Sequence, residues 1–371
     1  MDLFGDLPEP EQSKKATDDQ DSGQDTNTRK SNVDVKEAVS EVCVGEKRKL
    51  PWDATSTSTE ENGGSHKKLD VAKESKCRYR LKGYVADRQG EREDMQDAHV
   101  IIDDLKQSMP DVHSSIHRLC VYAVFDGHGG IRASRFASQH LLNNLRDKFP
   151  KGDVTQVEKE IKKVLRDAFK KTDEDFLKEA TKNKPSWKDG TTAVMVVGIN
   201  DTLYIANLGD SKAILCRYKE SEGKHVAIPL TADHNPTVYE ERMRIQKAGG
   251  FVKEGRVMGQ LEVARSIGDG PYKNHGVTCV PDIRRCQLTE NDRFLMIACD
   301  GLWKIYTAEE SIQTALNVLE DKKTEGTERK SAEDVRYDLA CSRLASSAVL
   351  RLSGDNVTVM LVSVNQLGED S

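Results

Sequence analysis

Four carboxylates in this chain stand at the ends of four apolar runs. Asp126 closes the run within VYAVFDGHGG, residues 121–130. Asp300 follows Phe294–Cys299, Asp210 follows Leu203–Leu208, and Asp355, with Asn356, stands just before Val357–Val362. Each could be an ordinary turn acid after a strand, since Asp-Gly and its neighbours favour turns. A carboxylate is nevertheless costly to bury unpaired, and four of them at the ends of buried strands call for a cation. At Asp126 the glycines Gly127, Gly129 and Gly130 let the backbone come close to an ion. A carboxylate, the Gly127 carbonyl and the His128 imidazole thus converge on one spot. Oxygen ligands of this kind suit a hard cation such as Mg²⁺ or Mn²⁺.

Two such cations sharing a water lower its pKa from about 15.7 toward 7, which makes a nucleophile at neutral pH. Phosphate-ester hydrolysis is among the slowest uncatalysed reactions and needs that charge neutralisation together with a cationic clamp. Arg92, in the turn before Asp97, can grip two phosphate oxygens at once. Taken alone, Arg92 reads as a surface residue.

The elements that must position these groups follow from periodicity. Strands are predicted over 83–87, 98–102, 119–126, 192–199, 202–207, 213–217, 293–299 and 356–364. Helical spacing predicts helices over 131–149, 154–177, 308–319 and 333–351. Asn200-Asp201 predicts a two-residue hairpin turn. Asn235-Pro236 and Gly249-Gly250 bracket a short helix. Residues 103–118 and 320–330 read as polar loops, and 251–281 is Gly-rich with weak periodicity. Hairpins outnumber crossovers, so the expected fold is α+β, with antiparallel sheets and helices packed outside them.

The chain has 371 residues, of which 36% are hydrophobic, so a sizeable core is available. Residues 1–75 carry 17 acidic and 11 basic side chains and only Phe4 and Trp52 as aromatics. That composition cannot offset ordering entropy, so a disordered tail is expected there. Three segments result: the tail 1–75, a catalytic domain over 76–366 with a flap-like segment at about 220–281, and a short C-terminal tail, 367–371. The whole-chain charge of −6 matches that of the tail, so the remainder is neutral. A neutral body lacks the basic stripe of a nucleic-acid surface. Lys47-Arg48-Lys49, with Lys67-Lys68, is either a nuclear import signal or an ordinary solvated charge run. Eight cysteines without a CxxC pair read as reduced thiols of an intracellular protein. No apolar run is long enough for a membrane span, and a soluble cytosolic or nuclear monomer is expected.

GEREDMQDAH (90–99), VFDGHGG (124–130), DGTTAV (189–194), NLGDSKAIL (207–215), HNPTVYEERMRIQKAGG (234–250), VARSIGDGPYK (263–273), ACDGLW (298–303) and GDNVTVMLV (354–362) occur in this order. As a set they resemble the metal-dependent serine/threonine protein phosphatases of type 2C. The resemblance implies a β-sandwich of two antiparallel sheets flanked by helices on both outer faces. It implies that Asp126, the Gly127 carbonyl, Asp300 and Asp355 hold two Mg²⁺ or Mn²⁺ ions, with Asp97 orienting water. Arg92 matches the phosphate-binding arginine. His128 matches a general acid for the leaving oxygen, its plainer alternative being a capping or supporting histidine. Asp210 matches a ligand to a weaker third metal, and Asp269 a recurring acid without an assignable role. The implied activity is hydrolysis of phosphoserine and phosphothreonine on proteins; the alternative is a scaffold that binds phosphoproteins without turnover. MDLFGDLPEP and GLW followed by Lys304 are similar to one branch of the family, which implies an integrin-linked kinase complex as a partner.

Two positions depart from the family pattern. Gln96 stands where Glu is frequent and gives up a charge. Lys304 stands where Asp is frequent, and in a helical turn it lies beside Asp300. An ammonium there can replace the charge of a third metal, so two ions rather than three are expected. Three other signals are set aside. Cys279 and Arg285 have the C-x₅-R spacing of cysteine phosphatases, but Pro281 and Asp282 spoil a phosphate cradle. His113 and His117 have zinc spacing in a loop without partners. Trp187 and Trp303 read as packing residues.

Overall fold

The structure is a computed structural model that describes residues 77–367. The expectations for the N-terminal tail and its basic clusters, for Cys43 and for the chain after 367 lie outside the described residues. Ten strands form two sheets. In chain order they are β1 (Tyr79–Arg88), β2 (Ala98–Ile102), β3 (Leu119–Phe125), β4 (Ala193–Ile199), β5 (Thr202–Leu208), β6 (Lys212–Lys219), β7 (Lys224–Pro229), β8 (Asp282–Gln287), β9 (Asp292–Ala298) and β10 (Val357–Gln366). One sheet runs β1-β10-β9-β6-β7 and the other β8-β5-β4-β3-β2, with every neighbouring pair antiparallel.

Both faces of each sheet are covered, which is why the central strands read as continuous apolar runs. In β3, Leu119, Val121, Ala123 and Phe125 face the helices α1 (Arg132–Asp147) and α2 (Val154–Lys182). The alternate residues Cys120, Tyr122 and Val124 pack between the sheets against Leu295, Ile297, Met360 and Val362. The outer face of the first sheet packs on α4 (Ala308–Leu319) and α5 (Ala332–Leu350) through Phe294, Met296, Val359 and Leu361. Four layers result, helices outside and sheets inside, as the expected sandwich requires. Fully buried side chains such as Phe125, Phe169 and Phe294 each stabilise this arrangement by about 1.5–3 kcal/mol.

Local chemistry sets the helix starts. Thr307 with Glu310 and Ser331 with Asp334 form capping boxes on α4 and α5. Asp153 accepts from the Gln156 N–H and caps α2. α1 lacks a cap of its own; the distant carboxylate of Asp189 accepts from the Arg132 N–H at 3.1 Å. Asn200 takes a left-handed φ of 51° and makes the predicted hairpin turn between β4 and β5.

Several expectations need correction. β7 lies inside the segment expected to be a flap, yet it is an edge strand of the first sheet, so the segment beside the cleft begins only after Pro229. β8 was not predicted, because DIRRCQ is a polar edge strand with one partner. The stretch 103–118 is not wholly exposed: Leu105 and Ile116 are fully buried and anchor it under the α1–α2 layer. Asn235-Pro236 does not open the short helix directly. Asn235 Oδ1 accepts from the Thr237 N–H, and α3 (Tyr239–Lys247) starts two residues beyond Thr237. This helix joins a small cluster of its own with Val257, Leu261, Val263 and Val277. Arg265 ties it to the sandwich, donating to Glu241 on α3 at 2.6 Å and to Asp282 on β8 at 2.7 Å. The seven described cysteines are free thiols. No helix among the described residues is long and apolar enough to cross a membrane.

Candidate metal centre

The carboxylates sit where strands of both sheets end. Asp97 precedes β2, Asp126 follows β3 and Asp210 follows β5, all from one sheet; Asp300 follows β9 and Asp355 precedes β10, from the other. A carboxylate oxygen from each of Asp126, Asp210 and Asp300 lies within 4.8 Å of the others. Asp97, Asp126 and the Cys299 thiol form a second group on the same criterion. Across the sheet boundary, the Asp300 N–H donates to Asp126 Oδ2 at 3.3 Å and the Thr358 hydroxyl donates to Asp97 Oδ2 at 2.7 Å.

Electrostatics show what the cluster calls for. Burial, with Asp97, Asp300, Asp210 and Asp355 around it, pushes the Asp126 carboxyl well above the usual carboxylate range. Burial pushes Asp97 up to about 6 and Asp210 to about 7, and neighbouring carboxylates add to both. Acids this close repel one another unless a cation lies between them. The donor set, hard carboxylate oxygens with a glycine carbonyl beside them, fits a divalent metal. Gly127 must be glycine here: an added Cβ would run into the Gln96 carbonyl and reach the Ser134 hydroxyl at 2.9 Å.

A cleft of about 480 Å³ opens over this cluster. Arg92, Gln96, Gly127, His128 and Lys304 line it beside Asp126, Asp210, Asp300 and Asp355, and Gln260–Val263 form one wall. Arg92 donates to Asp355 Oδ2 at 2.9 Å and is about half exposed, so its remaining donors face solvent. Its turn is held by a residue without an assigned role in the sequence, Asn356. The buried Asn356 amide donates to the carbonyls of Gln89 at 2.7 Å and Asp94 at 3.1 Å, and its Oδ1 accepts from the Gln96 N–H at 2.7 Å.

Lys304 falls one helical turn after Asp300, as expected. Its ammonium lies 2.6 Å from Asp300 Oδ2 and 3.1 Å from Asp355 Oδ2, so it spans these two acids rather than pairing with Asp210. Burial works against its charge, but Asp300 and Asp355 outweigh that and hold it protonated well above the usual lysine range.

His128 acquires a partner that the sequence alone does not reveal. Gly127–His128 pairs with Gly190–Thr191, which pairs with Ile267–Gly268. This small sheet brings Asp269 beside His128, with Nε2 and Oδ2 2.7 Å apart. Burial opposes the imidazolium, yet the Asp269 carboxylate more than compensates and raises the His128 pKa. Gly190 packs against both side chains, leaving no room for a Cβ.

The signals set aside stay apart from the cluster. Burial pushes the Cys279 thiol up to about 12, the opposite of an activated nucleophile. His113 bonds to Ser115. Trp303 donates its indole N–H to the Ala298 carbonyl, and Trp187 packs on Phe176.

The family model described as protein phosphatase 2C matches residues 82–357. The chain belongs to this family, the metal-dependent protein serine/threonine phosphatases. It is 54% identical over 375 residues to the integrin-linked kinase-associated serine/threonine phosphatase 2C of Bos taurus, covering 98% of this chain and all of that protein. The Rattus norvegicus protein of the same name is 59% identical over 321 residues, covering 86% of this chain and 80% of that one. Among solved structures, the serine-threonine phosphatase 2C of Toxoplasma gondii superposes with a TM-score of 0.62 at 20% identity. The superposition covers 78% of this chain and 96% of that one and shows the shared fold.

Proposed function

We propose that this phosphatase removes phosphate from phosphoserine and phosphothreonine on proteins at a centre of two Mg²⁺ or Mn²⁺ ions. Asp126, the Gly127 carbonyl, Asp300 and Asp355 hold the ions, and Asp97 orients water beside them. The observation that carries the reading is the convergence of strand-end acids from both sheets beneath Arg92 and His128. Bound divalent cations supply charge neutralisation and an activated water. Arg92, anchored on Asp355, offers its free donors to the phosphate oxygens and orients the ester. His128, whose pKa the Asp269 carboxylate raises against burial, gives its proton to the leaving serine or threonine oxygen. Asp210 is available to a third ion, but Lys304 already neutralises Asp300 and weakens that site.

The names of the relatives support signalling linked to integrin-linked kinase as the setting, with phosphoproteins of that complex as substrates. We place this activity in the cytoplasm and nucleus, with the protein acting as a monomer. The test is phosphate release from phosphoserine and phosphothreonine peptides with Mg²⁺, with Mn²⁺ and with chelator. Metal-dependent release that Asp126→Ala abolishes is expected. A folded protein that binds these peptides but releases no phosphate with either metal is instead a scaffold.

A further inference from the structure

A second cavity of about 510 Å³ adjoins the cleft and shares His128, Gly129, Gln260 and Leu261 with it. None of the clustered acids Asp126, Asp210, Asp300 or Asp355 lines it. We propose that this cavity is a specificity subsite that takes an apolar side chain flanking the phosphorylated residue of the substrate polypeptide. The inference rests on the reading of His128 as proton donor to the leaving oxygen. That oxygen is carried on the side chain of the substrate's serine or threonine. The polypeptide must therefore leave the cleft beside His128, where the second cavity opens.

The lining decides which residue fits. Met258 and Leu261 from the flap, and Pro271 and Tyr272 from the segment after Asp269, present apolar surface. Two of the lining polar groups are engaged: the Tyr272 hydroxyl donates to Gln260 Oε1 at 2.7 Å, and Asp269 Oδ2 meets His128 Nε2. An apolar substrate side chain packed on that apolar surface loses water without breaking either of these polar pairs. Lys188 and His275 also line the cavity. Lys188 is exposed and makes no ion pair among the described residues, so it repels a basic flanking residue. Met258 holds a left-handed φ of 53°, where a bulky side chain is uncommon, and the next residue, Gly259, is left-handed too. This tight turn sets the Met258 side chain at the cavity, half-buried against the flap cluster.

The test uses the full chain and phosphoserine peptides carrying Leu, Ser or Lys at each flanking position in turn. Two quantities are read: kcat/KM with Mn²⁺, and Kd by fluorescence anisotropy in chelator, where turnover plays no part. At one flanking position Leu is expected to exceed Ser by about 10-fold in both, with Lys weakest. Met258→Glu reduces that preference to below about 3-fold, Met258→Leu retains it, and Lys188→Glu lifts the discrimination against Lys. Thermal melting checks that each variant is folded. Equal handling of Leu and Ser at every position overturns the proposal, as does a preference that survives Met258→Glu. If neither the peptides nor an aryl phosphate is hydrolysed, the phosphatase reading falls. The anisotropy preference and its loss in Met258→Glu then still decide the subsite.

Discussion

His128 and Asp269, 141 residues apart, meet through Nε2 and Oδ2 at 2.7 Å, and the carboxylate is only 2% exposed. With Nε2 turned to Asp269, the proposed proton transfer would use Nδ1. The carboxylate raises the His128 pKa against the effect of burial. Asp269→Asn removes that charge, so His128 loses its proton at a lower pH. The alkaline limb of the kcat/KM profile shifts to lower pH. Turnover of a phosphoserine peptide at pH 8 falls on the order of 10-fold. An aryl phosphate, whose leaving group needs no proton, loses less. An unmoved alkaline limb would rule out the role given to Asp269.

The acidic cluster predicts how stability changes with pH when metal is removed. Asp97 titrates at about 6 and Asp210 at about 7 in the folded chain, above the ordinary aspartate value of 3.8. Between 3.8 and 7 the folded state holds more protons than the unfolded state, so stability falls as pH rises through that window. For these two groups the loss levels off about one pH unit above the higher value. The depressed acids Asp282 and Asp334 act in the other direction only below the ordinary aspartate value, and His99 and His225, lowered by burial, oppose the trend in part below the ordinary histidine value. Chelated protein should therefore melt a few degrees higher at pH 5.5 than at pH 8. Added Mn²⁺ should raise the melting temperature more at pH 8 than at pH 5.5. Scanning calorimetry measures both.

Lys304→Asp replaces the ammonium between Asp300 and Asp355 with a carboxylate. Titration calorimetry is expected to show an additional weak ion, and activity should then need higher metal concentration to saturate. Unchanged stoichiometry together with unchanged metal dependence would count against a part for Lys304 in metal number.

Asn356→Ala takes away three hydrogen bonds to the backbone of the turn that carries Arg92. Buried groups left unpaired cost about 1–3 kcal/mol, read as a lower urea midpoint. The loosened clamp also raises KM for phosphopeptides. A variant with unchanged midpoint and unchanged KM would mean that the turn holds itself.

The strand-end acids were legible because the signal is local: an apolar run, then an acid, often with glycine beside it. The helices and central strands were legible for the same reason, since both faces of β3 and β4 are covered and every residue in them is apolar or small. Asp269 was not assignable, because its partner comes through three two-residue strands too short to show periodicity. Asn356 showed only its place next to Asp355; its hydrogen bonds go to carbonyls more than 250 residues earlier. β7 and β8 were missed as half-buried edges whose charged residues hide any alternation. Leu105 and Ile116 were lost in a polar stretch because single anchors carry no pattern.

Asp126 belongs to one sheet and Asp300 and Asp355 to the other, so an ion held between them would be a clasp across the mouth of the sandwich. Linkage makes that clasp reciprocal: whatever pries the sheets apart must loosen the ion by the same free energy with which the ion holds them together. Shaving Met360, fully buried between the sheets, thus reaches the chemistry without touching it. The sandwich core and metal affinity are two readings of one equilibrium.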